Sequence, residues 1–157
     1  MDDSKRIIKV VLIILAILIL YLSGCFIYKQ KKFAPYEKAA AEFQERLAND
    51  EAFRNAHQNE YVDAKRNDDI FTARGLITVF KDRITLNIHP TISGGFDTTV
   101  TIQEKRGGAD VARFDIDEHG NLLDTEKQVE YLEYRSEIVD TMEFANEVFG
   151  DIFDINR

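Results

Sequence analysis

The feature that most constrains this chain is an unbroken apolar run at residues 10–22, because so many consecutive aliphatic side chains belong in a membrane or a core. Lys5, Arg6 and Lys9 precede the run, and Lys29, Lys31 and Lys32 follow it. Two physical readings compete. In one, a charged start, a short apolar stretch and small residues form a cleavable signal peptide. In the other, residues 7–28, interrupted only by Lys9, form an uncleaved helix able to cross a hydrocarbon core about 30 Å thick, with Tyr21 and Tyr28 as interfacial aromatics. The basic clusters flank both ends, so charge asymmetry does not fix the orientation. Either way Val10, Leu12, Leu15, Leu18, Leu20 and Leu22 are the anchoring side chains, and membrane lipid is the first partner.

The run closes on Leu22-Ser23-Gly24-Cys25. These four residues resemble the lipobox of bacterial lipoproteins. The resemblance implies a diacylglycerol on the Cys25 thiol, cleavage before Cys25, and a domain held on the extracytoplasmic side of the cell membrane. Burying acyl chains contributes about 0.8 kcal/mol per CH₂, so two chains hold stably where one is marginal. The lipobox favours the lipoprotein reading over the uncleaved span. Cys25 is the only cysteine, so no intramolecular disulfide is possible and the fold must stand without covalent staples.

After a basic linker at 29–34, residues 35–157 have the size of one domain with one core. The chain has 28 acidic against 20 basic residues and a formal charge of −8, although its first segment is basic. Such a domain does not suit nucleic acid, whose phosphates need a Lys/Arg footprint.

Pro35 suits the first turn of a helix, and Tyr36, Ala39, Ala40, Phe43 and Leu47 then recur at three- and four-residue steps. Residues 54–69 are polar, with a second short helix expected around Tyr61 to Arg66. From Ile70 the period becomes two. Residues 76–80 read as a strand and Lys81-Asp82-Arg83 as its turn. Ile84, Leu86 and Ile88 alternate with Thr85, Asn87 and His89. Pro90 and Gly94-Gly95 mark a return, Val100 and Ile102 alternate with threonines, Arg106-Gly107-Gly108 turns again, and Ala112, Phe114 and Ile116 continue the pattern. Thr125 and Gln128 have capping-box spacing. Beyond them Tyr131, Ile138, Met142, Ala145 and Phe149 share one helical side, flanked by Leu132 and Val139, with Arg135 projecting from its middle and Gly150 as terminator. The predicted class is α+β: an N-terminal helix, an antiparallel meander of about four strands, and a C-terminal amphipathic helix on one sheet face.

The segments Gly75-Leu76-Ile77, His89-Pro90, Gly94-Gly95, Phe114-Asp115-Ile116-Asp117 and Gly120-Asn121-Leu122 are similar to a family of small uncharacterised membrane-anchored proteins of streptococci and their relatives. That resemblance covers the meander, implies a Gram-positive envelope setting and transfers no functional residue.

Two constellations bear on function. Residues 115–126 resemble an EF-hand loop, with Asp115 and Asp117 at positions one and three, Gly120 at six, Leu122 at eight and Glu126 at twelve. His119 stands where an oxygen donor belongs and the preceding residues read as strand, so a metal-free turn is the competing reading and no metal site is assigned. Glu126, Glu130, Glu133, Glu137, Asp140 and Glu147 form an acidic side of the last helix, a possible surface for a partner protein in the envelope or simply a solvated face. Catalysis finds little support: His57, His89 and His119 are isolated, and Ser93 lacks the leading Gly of a nucleophile elbow. No cofactor motif is present. The expected function is that of a non-enzymatic, membrane-anchored envelope protein acting as a protein-interaction module. A small ligand- or calcium-binding module and an unrecognised enzyme are the alternatives.

Overall fold

The structure, a computed structural model, describes residues 2–66, 75–91 and 95–155. Ile70, where the period-two pattern begins, and Ser93 and Gly94 of the predicted return lie outside these residues. The order is α1 (Asp2–Asn49), α2 (Glu51–Ala56), β1 (Glu60–Lys65), β2 (Leu76–Lys81), β3 (Ile84–Pro90), β4 (Phe96–Gln103), β5 (Asp110–Ile116), a single 3-10 turn (Thr125–Lys127) and α3 (Gln128–Phe149). The fold is α+β, with five antiparallel strands in sequential order and both long helices on one sheet face.

Helix α1 is one element of 48 residues, about 72 Å long. The basic linker expected at 29–34 is helical, and Pro35 lies inside the helix rather than at its start. The reason is local: Lys, Gln and Ala are good helix formers, and this stretch contains no Gly or Ser to break the helix. The apolar segment of α1 is long enough to cross a membrane and no part of its most apolar window is buried. About three turns beyond Leu22 the same helix enters the domain. Phe33 is 5% exposed, Ala40 and Phe43 are buried, and Tyr36 and Leu47 are half-buried against the core.

The sheet follows from alternation. Val62, Ile77, Val79, Ile84, Leu86, Ile88, Val100, Ile102, Phe114 and Ile116 are buried toward the helices. Thr78, Thr85, Asn87, Thr99 and Thr101 lie on the opposite, open face, where registers Thr78↔Asn87, Thr85↔Thr101 and Asn87↔Thr99 set them in rows. Fully burying one such aliphatic side chain contributes about 1.5–3 kcal/mol, so this single face carries the domain's stability.

Strand β1 replaces the expected helix near Tyr61 to Arg66. Its pairing with β2 from Glu60↔Lys81 to Lys65↔Leu76 and the complete burial of Val62 override a polar local sequence. The outer edge of β1 is partly closed by α1, whose Gln44 Nε2 donates to the Val62 carbonyl at 2.8 Å. At the other edge Leu123 N–H donates to the Asp115 carbonyl at 2.9 Å and Lys127 Nζ to the Arg113 carbonyl at 3.1 Å, devices that blunt an exposed strand.

Helix α3 opens differently from expectation. A 3-10 turn precedes it, capped by Asp124, which accepts from Glu126 N–H at 3.1 Å, and α3 itself starts after Lys127 with no side-chain cap. The buried side comprises Tyr131, Ile138, Thr141, Met142, Phe144 and Ala145. Leu132 is 56% exposed and Phe149 only half-buried, because α3 must face α1 as well as the sheet and turns Phe144 toward Phe43 at 5.7 Å.

A Cβ on Gly75 falls 2.1 Å from the Phe33 ring. Gly75→Ala therefore forces Phe33 out of its seat and is expected to cost about 1–3 kcal/mol in denaturant unfolding. Thr98 presents the opposite case: it is 3% exposed and, among the described residues, its hydroxyl has no hydrogen-bond partner. Thr98→Val removes that hydroxyl at nearly constant shape and is expected to leave stability unchanged or raise it by up to about 1 kcal/mol, read as the shift in midpoint.

Candidate functional site

The predicted anchor residues Val10, Leu12, Leu15, Leu18, Leu20 and Leu22 are all exposed, between 44% and 73%. Cys25 lies on the same helix as a free, partly buried thiol. This cylinder of unpaired apolar side chains is a candidate membrane anchor by length and composition.

The six acids of the predicted partner surface do not form one free face. Glu137 is bound in a bidentate pair by Arg83 from the β2–β3 turn, at 2.8 Å to Nε and 2.6 Å to Nη2. The Arg83 hydrogen bonds hold the Glu137 carboxyl below its ordinary range, although partial burial opposes them, and the same pairing raises the Arg83 guanidinium. Asp140 approaches Lys81 Nζ at 3.8 Å, and Lys81 also faces Glu60 at 3.8 Å. Glu60 in turn meets His57 Nδ1, whose ring packs 4.1 Å from Phe53 and 5.4 Å from Phe43. Glu137 and Asp140 thus tie α3 to the sheet. Glu126, Glu130, Glu133 and Glu147 are exposed. Arg135, predicted amid the apolar side, is exposed as well. Glu147 lines a shallow cleft of about 420 Å³ with Glu143, Asn146 and Ile155.

The EF-hand-like residues form a turn held by its own atoms. Asp117 Oδ1 accepts from the N–H groups of Asn121 at 2.8 Å and His119 at 2.9 Å, and Oδ2 accepts from Asn121 Nδ2 at 3.0 Å. Burial alone raises the Asp117 carboxyl, but these donors outweigh it and hold the group below its ordinary value of 3.8. Asp115 lies on β5 and accepts from Thr99 Oγ1 at 2.7 Å. Gly120 has φ +77°, and a Cβ there meets the Met142 Sδ and Cε at 3.1 Å, so the turn needs glycine. The Tyr131 hydroxyl donates to the Gly120 carbonyl. Among the described residues no group of three or more His, Cys, Asp or Glu side chains converges to hold a metal ion. The carboxylate at position one, Asp115, is taken by the Thr99 hydroxyl, and that at position three, Asp117, by main-chain N–H groups.

Sequence reasoning missed the strap that follows α3. Asn146 Oδ1 accepts from the N–H groups of Ile152 at 3.1 Å and Phe153 at 2.9 Å, while its Nδ2 donates to the Phe153 carbonyl at 2.8 Å. Ile152 and Phe153 are buried as a result. The only signal was an apolar pair two residues beyond a helix-ending glycine.

No family model matches this chain, and comparison with curated proteins and with solved structures gives no match either. Its residues and geometry alone must carry the functional reading.

Asp117→Ala strips the turn of its organising acceptor and is expected to cost about 1–2 kcal/mol. Asp117 and Glu137 both titrate low in the folded state, so their contributions are in force above the ordinary values of 3.8 and 4.5 and fade as pH falls below them. Asp117→Asn should therefore flatten the loss of stability on acidification. Calcium added to about 1 mM should leave the wild-type melting temperature unchanged, whereas a calcium-bound loop stabilises by mass action.

Proposed function

We infer that this protein is a membrane-anchored envelope protein whose α+β domain acts by binding another protein, without chemistry of its own. The observation that carries this reading is the continuity of α1. The helix that offers an apolar cylinder to the bilayer also contributes Phe33, Ala40 and Phe43 to the domain core. From Tyr28 to Phe33 the chain advances about 7.5 Å along the helix, comparable to one headgroup layer. The domain is thereby held against the membrane surface in a fixed attitude, which suits an accessory module that meets a partner in the same membrane. The exposed acids Glu126, on the 3-10 turn, and Glu130 and Glu133, in the first turns of α3, offer an acidic surface for a basic patch on that partner.

The lipobox resemblance makes Cys25 the proposed point of lipid attachment on an extracytoplasmic domain; cleavage there removes residues 1–24, and the lipid then takes the place of the apolar cylinder at the head of the remaining helix. A second reading, the uncleaved span, is favoured by the unbroken helical geometry through residues 22–25. The two differ in the mature N-terminus. Labelled palmitate should enter the wild-type chain and not Cys25→Ser, and the mutant should accumulate as an uncleaved precursor. Equal labelling of both, or of neither, assigns the anchor to a plain span. For the partner surface, Glu130→Lys with Glu133→Lys should reduce cross-linking of the full chain to its membrane neighbours by about tenfold without lowering the melting temperature. Unchanged cross-linking would remove this surface from the proposal.

A further inference from the structure

The strap at residues 150–155 ends on the turn at 117–121, and the contact between them is dominated by one imidazole. His119 Nδ1 lies 3.0 Å from the Asp154 carbonyl oxygen and 3.4 Å from Asp154 Oδ2. His119 Nε2 lies 3.9 Å from Glu118 Oε1, and Asp154 N–H donates to the Glu118 carbonyl at 3.0 Å. Asp117 is a third carboxylate acting on the ring. From α3, Tyr131 reaches the neighbouring Gly120 carbonyl through its hydroxyl, which burial keeps in its neutral form. The partly exposed ring therefore faces carboxylates from two segments that are distant in sequence. Elsewhere the strap is held by the Asn146 clamp on Ile152 and Phe153, whose side chains are buried, and by the Ile152 N–H bond to the Gly150 carbonyl at 2.7 Å.

We propose that residues 150–155 form a proton-dependent latch, held on the 117–121 turn by His119 in its protonated form and loosened when the ring gives up its proton to water. The neutral ring keeps one N–H for the Asp154 carbonyl, so deprotonation weakens the contact without removing it. What is lost is the attraction to Asp117, Glu118 and Asp154. The bond to the Asp154 carbonyl, with the pull of these carboxylates, raises the His119 pKa above its ordinary value of 6.5. The sign follows: the latch is fully in force below that ordinary value and is lost as pH rises through the higher value of the docked state. Because Ile155 lines the cleft with Glu143, Asn146 and Glu147, the same proton alters the shape of that cleft.

The test is amide hydrogen exchange of the full chain in lipid nanodiscs, comparing Phe153 and Asp154 with the core amide of Leu86. After correction for intrinsic exchange, opening of the two strap amides should rise at least about threefold between about pH 5.5 and about pH 8.5, while Leu86 keeps its protection. His119→Gln, which keeps a donor but does not titrate, should abolish that rise. Asp154→Asn, which keeps the carbonyl and removes one carboxylate, should give an intermediate rise. Strap opening that does not change with pH in the wild type overturns the proposal, as does a wild-type rise in either variant. Leu86 reports whether a variant has lost its fold, in which case the other variant decides.

Discussion

The burial of one face of α1 against the sheet is the interaction on which the rest of this molecule depends. Phe33 rests on Gly75, Tyr36 meets Phe96 and Phe149 at 6.0 and 6.3 Å, and Phe43 sits between Phe53 and Phe144. These rings bind α1 to the sheet, to α2 and to α3 at once. Edge-on aromatic pairs add about 0.5–1.5 kcal/mol each beyond the area they bury. Without this seam β1 loses the helix that closes its outer edge and α3 loses the neighbour for Phe144. The apolar N-terminal segment then becomes a tether instead of a continuation of the domain's own helix.

The charges serve the same architecture. In this acidic domain Glu137, Asp140 and Glu60 face Arg83 and Lys81 where the β2–β3 turn meets α3. Partly exposed pairs of this kind contribute little individually, about 1 kcal/mol or less, but they fix how α3 lies on the sheet. What remains outside is an acidic patch at the start of α3 and a cleft beside its end.

The elements that were legible in the sequence are those whose burial is periodic. The alternations in β3, β4 and β5 translate directly into one buried and one open sheet face, and the stripe from Tyr36 to Leu47 is the buried side of α1. Strand β1 was not legible because only Val62 among its residues is fully buried and its identity comes from pairing with β2. The helical continuity of residues 29–34 was hidden by Pro35, which usually marks a start and here sits within the helix. The 3-10 turn that Asp124 caps ahead of α3, where Thr125 and Gln128 had capping-box spacing, is a change within one turn that spacing does not resolve. For the candidate site, the acids were legible by type, but their division into paired and free groups depends on Arg83 and Lys81, far away in sequence. The Asn146 clamp and the contact of His119 with Asp154 likewise join residues that no local pattern relates.

The apolar N-terminal segment and the domain share one uninterrupted helix. Amide hydrogen exchange across residues 31–36 of the full chain in nanodiscs, compared with residues 40–46 of the same helix, tests it most directly. A continuous helix predicts protection in the first segment within about tenfold of the second, apart from Pro35, which has no amide proton. Exchange of residues 31–36 at the rate of an unstructured peptide, beside a protected 40–46, would mean that a flexible tether joins the apolar segment to the domain.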